Sequence, residues 1–104
     1  MSKLDVWNLT RMAEFSQSQR VKKDVCKTKM FNTVLVCLEA GQEIPSRPEP
    51  YDVCFYIIKR QGIFTVGDKK GSLKRGSMTF APANVARGIK SIERLSILGI
   101  QEAH

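Results

Sequence analysis

Hydrophobic positions in this chain change their spacing near residue 30. Beyond it they gather into short runs separated by turn residues. Phe31-Asn32-Thr33-Val34-Leu35-Val36-Cys37-Leu38 is rich in β-branched residues and stops before Gly41, and Val53-Cys54-Phe55-Tyr56-Ile57-Ile58 is a β-branched and aromatic run of strand length. Ile63-Phe64-Thr65-Val66 follows, closed by Gly67-Asp68-Lys69-Lys70-Gly71, which predicts a hairpin turn with glycine at both ends. Leu73, Met78-Thr79-Phe80-Ala81, Arg87-Gly88-Ile89 and Leu95-Ser96-Ile97-Leu98-Gly99-Ile100 continue the series. Turn signals recur about every 8 to 12 residues, the spacing of an all-β sandwich or barrel.

The first 30 residues depart from that pattern. Thr10-Arg11-Met12-Ala13-Glu14-Phe15 follows a cap candidate at Asn8 or Thr10 and predicts one or two helical turns, after a short strand around Val6-Trp7. From Ser16 to Lys29 the chain is polar and basic, with Arg20, Lys22, Lys23, Lys27 and Lys29 against Asp24 alone. Val21, Lys23 and Val25 share one parity, which predicts a loop leading into an edge strand whose charges discourage pairing with other chains. The expected organisation is an N-terminal strand, short helix and basic edge segment over residues 1–30, packed on a β-barrel over 31–104.

Composition narrows the class. With 104 residues and 42% hydrophobic positions the chain is one domain that can bury roughly two-thirds of its unfolded surface. Its longest apolar run, Val53 to Ile58, is far short of the roughly 20 residues that cross a bilayer, and Met1-Ser2-Lys3-Leu4-Asp5 carries no apolar signal core, so a soluble cytoplasmic protein without membrane contact is expected. The only histidine is His104, the last residue, which argues against a buried histidine base, a Ser-His or Cys-His pair and any multi-histidine metal site. Cys26, Cys37 and Cys54 form no CxxC pair and read as reduced core thiols. The net charge of +7 suggests nucleic acid, but the basic residues fall at turns and edges, no helix is available for a groove, and the eight aromatics lie mostly in core runs. Solvated turns explain the charge more simply.

Gly41-Gln42-Glu43-Ile44-Pro45-Ser46-Arg47-Pro48-Glu49 and the stretch from Gly76 to Arg87 resemble two motifs of a known family, the cupins, small jelly-roll β-barrels. The family's first motif is glycine, five residues, His-x-His, three or four residues, Glu, six residues, glycine; its second is glycine, five residues, Pro-x-Gly, two residues, His, three residues, Asn. Gly41 opens the first, and Gly76-Ser77-Met78-Thr79-Phe80-Ala81-Pro82-Ala83-Asn84-Val85-Ala86-Arg87 tracks the second. The resemblance covers roughly residues 33 to 101 and implies a single cupin-type barrel. In the family, the histidines and the glutamate hold a divalent metal, whereas here those slots fall at Arg47, Glu49, Val53 and Arg87. Arginine stays protonated and has no lone pair to donate, and valine has no ligand atom, so the resemblance implies no metal, no cofactor and none of the family's metal-dependent catalysis.

The resemblance places Arg47 and Arg87 at one barrel mouth, where converging positive charges need something negative between them. One reading is an internal ion-pair cluster with Glu49 and Asp52. The other is a binding site for a small anionic ligand, made by Arg47, Glu49, Tyr51 and Arg87, with Phe55 or Phe80 as an apolar wall. Three prolines between Ile44 and Tyr51 predict a stiff loop. The Val53-to-Ile58 run is apolar on both parities, so one face fills the barrel and the other needs cover, either from the N-terminal segment or from a second subunit. A homodimer is the expectation, since the family commonly pairs through its sheets. The leading expectation is therefore a metal-free cupin-type binding or scaffold protein. The alternative is a metal-independent sugar isomerase or epimerase using a carboxylate.

Overall fold

The computed structural model describes residues 3–104. One helical turn, α1 (Leu9–Met12), precedes nine strands: β1 (Val21–Lys27), β2 (Phe31–Leu38), β3 (Glu43–Pro48), β4 (Val53–Lys59), β5 (Gln61–Val66), β6 (Lys69–Lys74), β7 (Met78–Ala81), β8 (Ala86–Ser91) and β9 (Leu95–Glu102). They form a five-stranded sheet in the order β1-β2-β9-β4-β7 and a four-stranded sheet in the order β3-β8-β5-β6, with every pairing antiparallel. The all-β reading with one short N-terminal helical turn therefore holds.

Strand alternation decides what each sheet buries. Val34, Val36 and Leu38 of β2, Ile57 of β4, and Leu95 and Ile97 of β9 meet Phe64 of β5 and Ile89 of β8 in a single core. Register keeps the inner face continuous across strands: Leu38 pairs with Leu95, Val36 with Ile97, Val34 with Gly99, and Val53 with Gln101. Val53, Phe55 and Ile57 thus point inward, and Cys54, Tyr56 and Ile58 outward.

Several local expectations change. Val6 and Trp7 form no strand and are exposed, because the edge beside β2 is taken by β1. The helical segment is shorter than expected, with Asn8 Oδ1 accepting from the Arg11 N–H at 3.0 Å. Glu43–Pro48 is a strand rather than only a stiff loop. The β5–β6 turn is Gly67-Asp68 alone, since Val66 pairs with Lys69, and Gly67 takes the left-handed φ of 61° that this tight turn requires. Arg60 and Asn84, both at φ 69°, stand where the two cupin motifs carry glycine. Their backbone keeps the glycine-like turn although the residue has changed.

The N-terminal segment is tied to the barrel by polar side chains. Lys23 pairs with Glu14 at 3.0 Å, the Gln42 amide donates to the Ser16 carbonyl at 2.7 Å, and the Arg94 guanidinium lies 4.6 Å from the Phe15 ring centroid. Arg94 also grips Glu39 through two hydrogen bonds of 2.8 and 3.0 Å, which hold the Glu39 carboxyl below its ordinary value. A depressed carboxyl stabilises the fold above its unfolded value of about 4.3, and that contribution disappears as pH falls through the lower folded value. Arg94→Met is expected to raise amide hydrogen exchange at residues 13–17 about 3- to 10-fold at neutral pH, by analogy with local opening elsewhere in proteins. The wild type should lose that protection only in acid. No helix among the described residues is long and apolar enough to cross a membrane.

Candidate ligand-binding site

A β-bulge sets the geometry of the barrel mouth. Ile44 pairs with Ile89 and Arg47 with Arg87, so Pro45 and Ser46 of β3 stand opposite Gly88 alone. Without the extra residue, positions three apart would face opposite ways; with it, Ile44 and Arg47 both take inner-face pairing positions. Gly88 makes this possible because a Cβ there would lie 2.9 Å from both the Ser46 Cα and its nitrogen. Pro45, which lacks an N–H, loses no ladder bond in the bulge.

Arg47, Glu49, Tyr51 and Arg87 come together along one cavity of about 150 Å³, whose apolar wall includes Val34, Val36, Val53 and Phe55. The two arginines are used differently. Arg87 is only 6% exposed, and its guanidinium donates to main-chain carbonyls: Nε to Val85 at 2.9 Å, Nη1 to Tyr51 at 3.0 Å, and Nη2 to Pro82 at 2.7 Å with a longer contact to Glu49 at 3.5 Å. One residue of β8 thereby fastens the β7–β8 loop to the β3–β4 loop. Arg47 keeps its side chain largely in solvent and reaches the Glu49 carboxylate at 2.7 Å.

The expected cluster of both acids between both arginines does not form. Asp52 accepts from the Ala83 N–H at 2.7 Å, and its own N–H donates to Glu102 at 2.6 Å, so it serves the loop backbone. Arg87 is balanced by carbonyl dipoles rather than a carboxylate. Tyr51 lies between the Arg87 guanidinium, 5.5 Å from its ring centroid, and the His104 ring stacked at 4.1 Å. Burial, reinforced by Glu49, pushes the Tyr51 hydroxyl above its ordinary pKa against the opposing pull of Arg87 and Arg47, so it stays a neutral phenol at physiological pH. Phe80 does not wall the cavity: Thr79 and Ala81 take the inner positions of β7, and Phe80 is half exposed on the outer face.

The four positions that hold a metal in cupins do converge here, but their donors do not fit one. Two guanidiniums, an isopropyl group and one ion-paired carboxylate supply too few lone pairs for a transition metal. No group of three or more His, Cys, Asp or Glu gathers elsewhere among the described residues. Cys37 is sealed in the sheet, and burial pushes its thiol up, which keeps it protonated and unreactive.

Three polar cavity residues escaped the sequence reading. Arg20, just before β1, and Lys22 within it line the same space together with β3, β1 and β3 being edge strands of their two sheets. Gln101 is 8% exposed and lines it from β9, next to Val53 in register. A polar side chain on the parity of Leu95, Ile97 and Gly99 was the available signal.

No protein-family model matches the chain, and no curated protein does. Solved structures do. The TT1209 protein of Thermus thermophilus superposes with a TM-score of 0.89 at 22% identity, over 95% of this chain and 97% of that one. An RmlC-like cupin protein from Desulfovibrio desulfuricans gives 0.87 at 21% identity, over 96% and 97%. A cupin-superfamily protein from Desulfitobacterium hafniense gives 0.85 at 16% identity, over 100% and 95%. Two antiparallel sheets, both motif frames in place and near-complete superposition on cupin structures at such low identity lead to one structural conclusion: this chain has the cupin fold.

Proposed function

We propose that this protein is a cupin-type binding module for a small anionic ligand and works without metal catalysis. The observation that carries the reading is a single cavity that joins an apolar wall to Arg47, Glu49, Tyr51 and Arg87. Arg87 supplies fixed positive charge and holds the mouth in shape, while Arg47 is the mobile contact, able to exchange Glu49 for a ligand carboxylate or phosphate. Glu49 is then a placeholder that competes with the ligand. A carboxylate isomerase would need the same Glu49 as its proton carrier, so one variant moves the two readings in opposite directions.

Glu49→Gln is expected to tighten binding of benzoate or inorganic phosphate about fivefold, and Arg47→Met to weaken it about tenfold, as removal of a competing or contacting charge does. Calorimetric titration and ligand-induced rise of Tm measure both. Weaker anion binding by Glu49→Gln, together with loss of a sugar-isomerising turnover present in the wild type, would establish the isomerase instead.

A homodimer is proposed on a separate observation. Tyr56, Met78, Phe80 and Ile100 are exposed, and register places them in one block on the outer face of β7, β4 and β9, around half-buried Cys54 and Leu98. That block carries no charge, which suits a second copy of the same surface related by a two-fold axis. Light scattering should return about twice 11.7 kDa, and Tyr56→Glu should halve it. A wild-type mass of one chain at micromolar concentration would refute the dimer.

A further inference from the structure

We propose that Gln101 is a ligand contact, and that the molecule it holds is a ring-sized acid carrying a hydroxyl group. The acid rests on the anion-binding reading above; the hydroxyl rests on separate observations. Gln101 ends the inner row Leu95, Ile97, Gly99 of β9, with Asn32 opposite it on β2 and Val53 opposite it on β4. Both residues are 8% exposed, and no side-chain hydrogen bond among the described residues engages either. No fully sealed side-chain nitrogen or oxygen among the described residues lacks a partner, so the Gln101 amide keeps access to the cavity that it lines. The amide of this largely buried residue is thus free to take a partner from the cavity, at the end of an otherwise apolar row of β9.

Chemistry then selects the occupant. An amide offers one acceptor and two donors on adjacent atoms, and a hydroxyl group is both donor and acceptor, so the two match without a net charge. The carboxylate belongs at the other contact, Arg47, with Arg20 and Lys22 adding positive charge along the same cavity and Glu49 as its one acid. Size limits the body between them. A cavity of about 150 Å³ with aliphatic and aromatic walls takes a benzene-sized group. Val34, Val36, Val53 and Phe55 would leave the many hydroxyls of a sugar unpaired, which disfavours a sugar phosphate.

The test titrates the full chain with benzoate, 3-hydroxybenzoate, 4-hydroxybenzoate and phenol in a calorimeter, using wild type, Gln101→Met, Gln101→Leu and Arg47→Met. One hydroxybenzoate is expected to bind about tenfold tighter than benzoate, as a hydroxyl that pairs a buried polar group does. Either Gln101 variant should erase that preference, and Arg47→Met should weaken both acids and keep it. Hydroxybenzoates no tighter than benzoate in the wild type overturn the assignment before any variant is made. A preference that survives in folded Gln101→Met or Gln101→Leu also overturns it. If no acid binds but phenol does and depends on Gln101, the anion reading falls and the Gln101 contact stands. If no probe binds, both fall.

Discussion

Replacing Arg87 by methionine is expected to destabilise this protein by about 3 to 5 kcal/mol, because it removes several hydrogen bonds from one buried charged donor to main-chain carbonyls. Methionine fills much of the same volume, so the loss is one of donors. The Tyr51 and Val85 carbonyls would lose the charged donor that holds them, and the Pro82 carbonyl would keep only its 3.2 Å bond from the Val85 N–H. Each unsatisfied buried acceptor costs about 1 to 3 kcal/mol. Since a domain of this size shifts Tm by about 4 to 8 °C per kcal/mol, the variant should melt at least roughly 12 °C lower. Arg87→Lys keeps the charge but replaces a planar fork with one ammonium, which cannot reach carbonyls on both loops, so it should recover less than half of the loss. Urea unfolding of the three proteins measures this. A loss below about 1 kcal/mol in Arg87→Met would show that the carbonyls have other partners.

The same residue explains why restoring histidine would not recreate a metal site. In the cupin frame its slot is a ligand position, but here the side chain has become the brace between the two loops that shape the mouth. A histidine at 87 could not span to Tyr51, Pro82 and Val85 at once, and Val53 would still offer no donor.

Much of the barrel is legible in the sequence because burial on a sheet leaves a strong pattern. The strands at 31–38, 53–59 and 95–102 each carry a full row of core residues, and both motif frames fix their order. β3 is less visible: its prolines and its exposed side chains mask an edge strand whose inner face shows only at Ile44 and Arg47. The site was half legible. Motif spacing brings Arg47, Glu49, Val53 and Arg87 to one place, since spacing encodes register. It does not reveal that Arg87 is consumed by carbonyls, because a main-chain acceptor has no residue type. Nor does it separate Asp52, whose carboxylate accepts from the Ala83 N–H, from Glu49, the one acid that lines the cavity. Gln101 was legible in principle, as a polar residue at an inward position, but only once the register of β9 was known.

Gly88→Ala is expected to cost about 2 to 4 kcal/mol, well above the roughly 1 kcal/mol of a plain backbone effect. The added methyl would lie 2.9 Å from the Ser46 Cα and nitrogen and 3.0 Å from its Cβ. Two of those three atoms are backbone, held in the bulge between the Ile44–Ile89 and Arg47–Arg87 pairs, and cannot rotate away. Gly41→Ala is the comparison: it has the left-handed φ of 86° but nothing within 4 Å, so it should lose only about 1 kcal/mol of backbone preference. To relieve the clash, β3 must move off β8, and Arg47 and Arg87 sit on the next rung of that ladder. Anion affinity should therefore fall with stability in Gly88→Ala and stay near wild type in Gly41→Ala. Deleting Ser46 removes the bulge and leaves Pro45 opposite residue 88 in regular pairing. Combined with Gly88→Ala, that deletion is expected to recover at least about half of the lost stability, a coupling of at least 1 kcal/mol between residues in contact. Simple addition of the two losses in urea unfolding would mean that the glycine is not there for the bulge.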